Sequence, residues 1–383
     1  MNKTEAPDRN LNLYTGKPQH QNFCCMRTFF PAGEMLPSSS PHVFPQGPTL
    51  QLPESFQFEA EQRNTEDLLS QTDTSALLVL VKGELRFEQY RLTGGPDVQW
   101  ISWSVAKSFV SALTGIAIAE GFINSIEDPI QTYVPGLVDT VYDGVRIKDV
   151  LQMSSGVRWN EDYSDADSDI SRFGAAITAG GSLDDFVAGM HRDAPAGTLC
   201  QYNSADTQAL GSLVVGATGE SLTSYMQKKI CDPLGFSSSS AWLLDGQGME
   251  MAFGGLNLTA QDFAKIGELY RNKGTWQGRQ IVPESWVTAS VQPDAPHLKA
   301  GKVLVGGHVL PLGYGYQWWV PAGDRGEFSA IGVYNQFIYV DPSREVVIVK
   351  LSANREYGTS TEESTNREME TIELLRAIAA ITN

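Results

Sequence analysis

Four cysteines and five histidines are all that 383 residues carry of thiol and imidazole metal ligands. Cys24, Cys25, Cys200 and Cys231 make no C-x-x-C pair, so a zinc ribbon or dithiol redox site is unsupported, and they read as thiols in a reducing compartment. Basic residues are scarce: 28 Lys and Arg against 45 Asp and Glu leave a net charge of −17. Such a chain repels phosphate backbones, which argues against nucleic-acid binding. No apolar run is long enough for a membrane span. The opening stretch MNKTEAPDRNLNLYTG lacks the apolar core of a secretory signal, and the expectation is a soluble, cytoplasmic protein. A G-x-S-x-G elbow, an H-E-x-x-H helix, a phosphate-binding loop and a dinucleotide fingerprint are all missing. His20, His42, His191, His297 and His308 sit in loop-like contexts and read as surface or structural groups. No metal or organic cofactor is implied, and no internal repeat is visible.

What is present is ordinary globular material, 42% apolar and 19% charged, enough for a large core. Residues 1–60 are rich in Pro, Gly, Ser and Asn and predict an irregular N-terminal arm over the surface. A helix is expected over Ala60–Leu69, then strands over Ala76–Val81 and Glu84–Tyr90 joined by a tight turn at Lys82-Gly83. Residues 105–120, VAKSFVSALTGIAIAE, are apolar nearly all round, which predicts a central buried helix ending at Gly121. Further helices are expected over Ile147–Met153, Leu183–Met190, Ala205–Ala217, Leu222–Ile230 and Ala260–Asn272, the last capped by Thr259. Strands are expected over Tyr314–Val320, Phe328–Ile331, Gln336–Val340 and Val346–Leu351, with a turn at 341–344 and a closing helix from Glu362 to about Ile381. Strands at both ends with helices between them predict an α/β fold: an antiparallel sheet lobe from 61–103 and 300–383, and a mainly helical lobe from 104–299. The site is then expected in the cleft between them.

The chemistry-bearing stretch is Trp103-Ser104-Val105-Ala106-Lys107. Residues three apart share a helix face, so Ser104 and Lys107 can meet. A serine hydroxyl needs a base, and a lysine serves when burial and the positive end of a helix lower its pKa. Ser104 is the only serine of the chain with Lys at +3. A lone S-x-x-K is ordinarily a capping serine and a solvated lysine. Here the lysine lies on an apolar helix, where an unpaired charge is costly.

Order and flanking sequence then resemble the serine β-lactamase, penicillin-binding and esterase superfamily over roughly residues 60–380. Ser104 and Lys107 match its first motif, Tyr202-Asn203-Ser204 within LCQYNSADTQALG its second, and Ala330-Ile331-Gly332 on a C-terminal strand its third. The flanks SWSVAKSF and GVRWNEDYSDADSD point to the 6-aminohexanoate-dimer hydrolase and carboxylesterase branch. The resemblance implies the β-lactamase/transpeptidase-like fold and an acyl-enzyme on Ser104. Lys107 would accept the serine proton or hold Tyr202 ionised, and Tyr202 would pass a proton to the leaving group. The N–H groups of Ser104 and Val333 would form an oxyanion hole, with Gly332 allowing close approach. One such donor is typically worth roughly 3–4 kcal/mol in the transition state. Ser204 stands where an amide-bearing Asn is usual, and Ala330 where Lys or His is usual, so β-lactam hydrolysis is disfavoured while acyl transfer is not. In the acidic stretch Trp159–Asp169, Tyr163 would donate to a leaving nitrogen. The same stretch reads alternatively as a solvated loop or as a rim attracting an ammonium. One of Trp318 and Trp319 is expected to line the cleft or pack in the core.

The implied partner is a small-molecule amide or ester. Alternatives within the fold are a β-lactamase or D-alanyl peptidase and an acyltransferase; outside enzymes, a non-catalytic binding scaffold. A homo-oligomer, with the N-terminal arm reaching a neighbour, is compatible with the sequence.

Overall fold

A computed structural model describes residues 11–382. Its centre is a seven-stranded, wholly antiparallel sheet. The strands are β1 (Thr74–Val81), β2 (Glu84–Tyr90), β3 (Leu312–Tyr314), β4 (Trp319–Pro321), β5 (Phe328–Gly332), β6 (Gln336–Asp341) and β7 (Val346–Ser352), in the spatial order β3-β4-β5-β6-β7-β1-β2. The pairing of β7 with β1 joins the two halves of the chain. The central strands read as continuous apolar runs because both faces are covered. Leu78 and Leu80 of β1, with Val347 and Val349 of β7, belong to one core, while Leu77, Val79 and Val81, with Val346 and Ile348, belong to the other. This period of two is the strand pleat. One face takes helix Ala260–Arg271, which approaches so closely that a Cβ on Gly267 would lie 2.6 Å from Val347 Cγ1. The other takes Glu368–Ala380 through Ile372, Leu375 and Ile378. The β1–β2 hairpin turns at Lys82-Gly83, both with positive φ (56° and 77°), as a two-residue turn requires.

Between β2 and β3 lies the mainly helical region. Its central member, α1 (Ala106–Ala119), is buried along nearly its whole length and packs against α2 (Ser204–Thr218). Gly121, at φ 79°, ends α1 in a Schellman arrangement: Phe122 N–H reaches Ala117 C=O at 2.9 Å. Asn203 caps α2, its side-chain oxygen accepting from the N–H groups of Ala205 (2.8 Å) and Asp206 (3.3 Å).

Several expectations are corrected. The helix expected over Ala60–Leu69 runs instead over Thr65–Gln71, because Glu59 and Ala60 turn a small hairpin at positive φ and Asn64 caps the helix from 3.0 Å. The strand expected over Tyr314–Val320 is split into β3 and β4: Gln317 takes φ 62°, and its side chain is bound to Leu151 C=O and Thr207 Oγ1. The helix expected over Leu222–Ile230 becomes a π-turn at Gln227–Cys231. The helices expected from Ile147 and Leu183 stop at Leu151 and Ala188. An unexpected helix spans Asp169–Thr178, capped by Ser168.

The largest correction is the N-terminal arm. Residues 1–10 lie outside the described residues, but 11–60 do not simply run over the surface. Phe23, Met26, Met35 and Phe44 are core residues. Ala32–Met35 is an edge strand of a second, four-stranded sheet with Ser240–Leu243, Leu256–Leu258 and Trp100–Ile101. Proline and glycine hid these elements from a periodicity reading.

Candidate active site

Ser104 lies in a single 3₁₀ turn, Trp103–Val105, that leads into α1. The residue before it, Trp103, adopts φ 44°, a conformation that a bulky side chain takes only when its surroundings hold it there. Those surroundings are Phe23 and Tyr334, whose rings pack on the indole at centroid distances of 5.3 and 5.7 Å. The turn brings the Ser104 hydroxyl to the floor of a cleft, 9% exposed.

One helical turn on, Lys107 is 1% exposed. Its ammonium nitrogen donates to three acceptors: Ser104 Oγ at 3.0 Å, Ser204 Oγ at 3.1 Å and Phe253 C=O at 2.9 Å. It also lies 5.1 Å from the ring centre of Tyr202. Burial, partly offset by the charge of Glu161, pulls its pKa down to about 8. Tyr202, immediately before the cap of α2, is stacked on Trp319 with centroids 5.1 Å apart, and it lines the same small cleft as Ser104. Burial, reinforced by the negative charge of Glu161, raises the phenol well above its ordinary pKa, so it carries its proton at neutral pH. Ser104, Lys107, Tyr202 and Ser204 thus converge.

The third stretch also arrives. β5 ends at Gly332 directly against the Ser104 turn: a Cβ there would lie 2.8 Å from Ser102 C=O and 3.1 Å from Ser104 N. No other residue allows this approach. Val333 follows and lines the cleft beside Ser104. Ala330 is buried in β5. Of the paired tryptophans, Trp318 packs in the core and Trp319 lines the cleft.

The acidic stretch holds what sequence reasoning missed. Glu161 is 1% exposed and accepts from Ser204 Oγ (2.6 Å), Ser204 N–H (3.2 Å), Tyr163 Oη (2.6 Å) and Trp159 Nε1. It closes a chain from Ser104 through Lys107 and Ser204 to a buried carboxylate. Nothing in the sequence separates it from its neighbours, since only tertiary packing buries it. Those neighbours bind their own loop: Asp162 accepts from Ser164, Asp165 from Asn160 and Asp167, and Asp169 from Asn160 and Arg172. Tyr163 faces the cleft, held by Glu161 and packed on Tyr14 of the N-terminal stretch at 4.7 Å.

Two cavities open from Ser104. The larger, of 510 Å³, is bounded by the N-terminal stretch, the Asp169–Thr178 helix and Phe253. The smaller, of 30 Å³, is lined by Tyr202, Trp319, Ile331, Tyr357 and Glu368. Among the described residues no three His, Cys, Asp or Glu side chains converge to hold a metal, and no helix is long and apolar enough to cross a membrane.

A mixed α/β fold with this cleft defines a hydrolase class shared by β-lactamases, penicillin-binding proteins and esterases. The chain belongs to the Beta-lactamase family, whose profile matches residues 62–372. It is 31% identical over 336 residues to the 6-aminohexanoate-dimer hydrolase of Paenarthrobacter ureafaciens, covering 84% of this chain and 83% of that one. In three dimensions it is similar to a candidate 6-aminohexanoate-dimer hydrolase from Bacillus anthracis, with a TM-score of 0.83, 23% identity, and 96% and 97% of the two chains covered. It is also similar to EstCE1, a hydrolase with promiscuous acyltransferase activity, at a TM-score of 0.63 and 16% identity over 82% and 96%. The chain is therefore an enzyme, a hydrolase of the β-lactamase-like fold.

Proposed function

We propose that the chain cleaves an amide or ester bond through an acyl-enzyme on Ser104, with Lys107 as base and Tyr202 as proton carrier. The observation that carries this reading is the buried Lys107 nitrogen 3.0 Å from Ser104 Oγ, with its pKa lowered to about 8. Between the two expected roles of Lys107, the raised pKa of Tyr202 favours the amine as base, since a tyrosinate would be costly here.

In the acylation step Ser104 Oγ bonds to the carbonyl carbon and its proton passes to neutral Lys107. The carbonyl oxygen becomes an oxyanion facing the N–H groups of Ser104 and Val333. As the carbon–nitrogen or carbon–oxygen bond breaks, Tyr202 gives its proton to the departing atom and is refilled from Lys107. A water then repeats the sequence on the acyl-enzyme, losing its proton to the same groups and releasing a carboxylic acid. The 6-aminohexanoate-dimer hydrolase relative favours an amide as the substrate bond. Ala330 leaves the third stretch without a cation to hold a β-lactam carboxylate, so rapid nitrocefin hydrolysis is not expected.

The test is labelling with a fluorophosphonate probe. Wild type is expected to label stoichiometrically and Ser104→Ala not at all; equal labelling of the two overturns the proposal. Tyr202→Phe is expected to lower turnover of 4-nitrophenyl acetate by ~10²-fold or more. Near-normal turnover would remove the phenol from the proton path.

A further inference from the structure

The large cavity carries a statement about substrate that neither the fold nor the relatives make. None of the residues lining it is Asp, Glu, Lys, Arg or His. Its walls are aliphatic and aromatic: Leu13, Met26 and Phe30 from the N-terminal stretch, Ile170 and Ile177 from the Asp169–Thr178 helix, and Phe253 opposite. The charged groups nearest the nucleophile are already satisfied. Lys107 makes three hydrogen bonds, and Glu161 accepts four. Asp162 and Asp165 accept from groups of their own loop, Asp169 pairs with Arg172 and Asp167 is exposed, but none of these carboxylates lines the cavity. An ammonium or carboxylate entering this cavity would lose its hydration and meet no counter-ion, a heavy cost in an apolar site.

The two cavities are also unequal in chemistry. Tyr202, which protonates the departing atom in the scheme above, lines the small cleft and not the large cavity. The leaving group therefore departs on the small side, and the large side receives the acyl portion. We propose that the acyl group taken by this enzyme is uncharged and apolar along its length, several carbons long, and that a substrate with an ionised acyl end is discriminated against. A volume of 510 Å³ sits within the ordinary range of small-molecule pockets and is far more than an acetyl group needs. The inference rests on Ser104 being the nucleophile.

The experiment compares kcat/KM of the full-length protein for 4-nitrophenyl acetate, butanoate, hexanoate and octanoate with that for the 6-aminohexanoate ester and the mono-ester of adipic acid. Each rate is corrected for spontaneous hydrolysis. Octanoate is expected to exceed acetate by at least tenfold, and both charged esters to fall at least thirtyfold below hexanoate. A flat chain-length series, or a charged ester turned over as well as hexanoate, overturns the proposal. Ala175→Phe, which places a ring at the cavity mouth, is expected to lower the octanoate-to-acetate ratio tenfold; an unchanged ratio argues that the acyl chain lies elsewhere. Fluorophosphonate titration of the same preparation separates the two levels. Labelling at Ser104 with a preference for charged esters sinks only the substrate inference, whereas absence of labelling sinks the nucleophile assignment with it.

Discussion

The proposed base of this site is a lysine whose protonation is decided by two opposed influences. Burial pushes its pKa down, and the Glu161 carboxylate pushes it up, leaving it at about 8. Because the proposed base acts as the neutral amine, kcat/KM of the free enzyme is expected to rise with pH through about 8 and then level off. Replacing Glu161 with Gln removes the influence that favours the ammonium, so the rising limb should move to lower pH while the Ser204 contact survives. A pH–rate profile that stays in place, or moves to higher pH, would show that the carboxylate does not act on Lys107. A second lysine follows the same physics without a chemical task. Lys350 is fully buried on β7, donating to Thr72 Oγ1 (3.0 Å) and Ser352 Oγ (2.6 Å). Burial, with Arg91 adding to it, depresses its pKa well below the ordinary value. The unfolded chain then binds a proton that the folded chain does not, so the group contributes least below its folded pKa and progressively more as pH rises towards about 10.4. Lys350→Met is accordingly expected to raise Tm at pH 7, with the gain shrinking steadily as pH rises towards about 10.4. A lower Tm at pH 7 would show that the two hydroxyl contacts outweigh the desolvation cost.

At the scale of elements, α2 has a positional duty because its first turn carries Ser204 and the residue before its cap is Tyr202. Asn203→Ala removes the cap and is expected to cost about 1 kcal/mol in denaturant unfolding. It should also lower kcat more than it raises KM, since the proposed proton carrier Tyr202 and the Lys107 partner Ser204 lose their anchor. A variant with unchanged kcat would show that packing on Trp319 alone positions the phenol. What could be read from sequence follows a physical line here. α1 was legible because a helix buried on every side is apolar on every side, and Ser104 and Lys107 could be paired because i and i+3 share a face. β1, β6 and β7 were legible for the same reason. The β3–β4 break was not, because it depends on Gln317 bonding to Leu151 and Thr207, both distant in the chain. Glu161 was illegible among four other acids and a tyrosine, since what distinguishes it is the surroundings it finds after folding.

For the whole molecule, the acidic surface implies self-repulsion. With a net charge of −17, Tm is expected to rise as salt increases from about 10 mM to about 0.3 M, where screening shortens the reach of each charge. A Tm that falls over that range would show that ion pairs such as Arg355–Asp73 outweigh the repulsion. The β-lactamase-like architecture is set by residues 62–372, the portion that matches the family, and it brings the reacting groups together. The segment before it contributes differently. Leu11, Leu13, Tyr14, Met26 and Phe30 are wall residues of the large cavity. The wall of that cavity is thus shared between this stretch and the family-matching one, which adds Ile170, Ile177 and Phe253. Because Phe23 of the same stretch also braces Trp103 beside the nucleophile, a protease that nicks the front end, or a fusion that tugs on it, would be felt in acylation as well as in the choice of acyl chain.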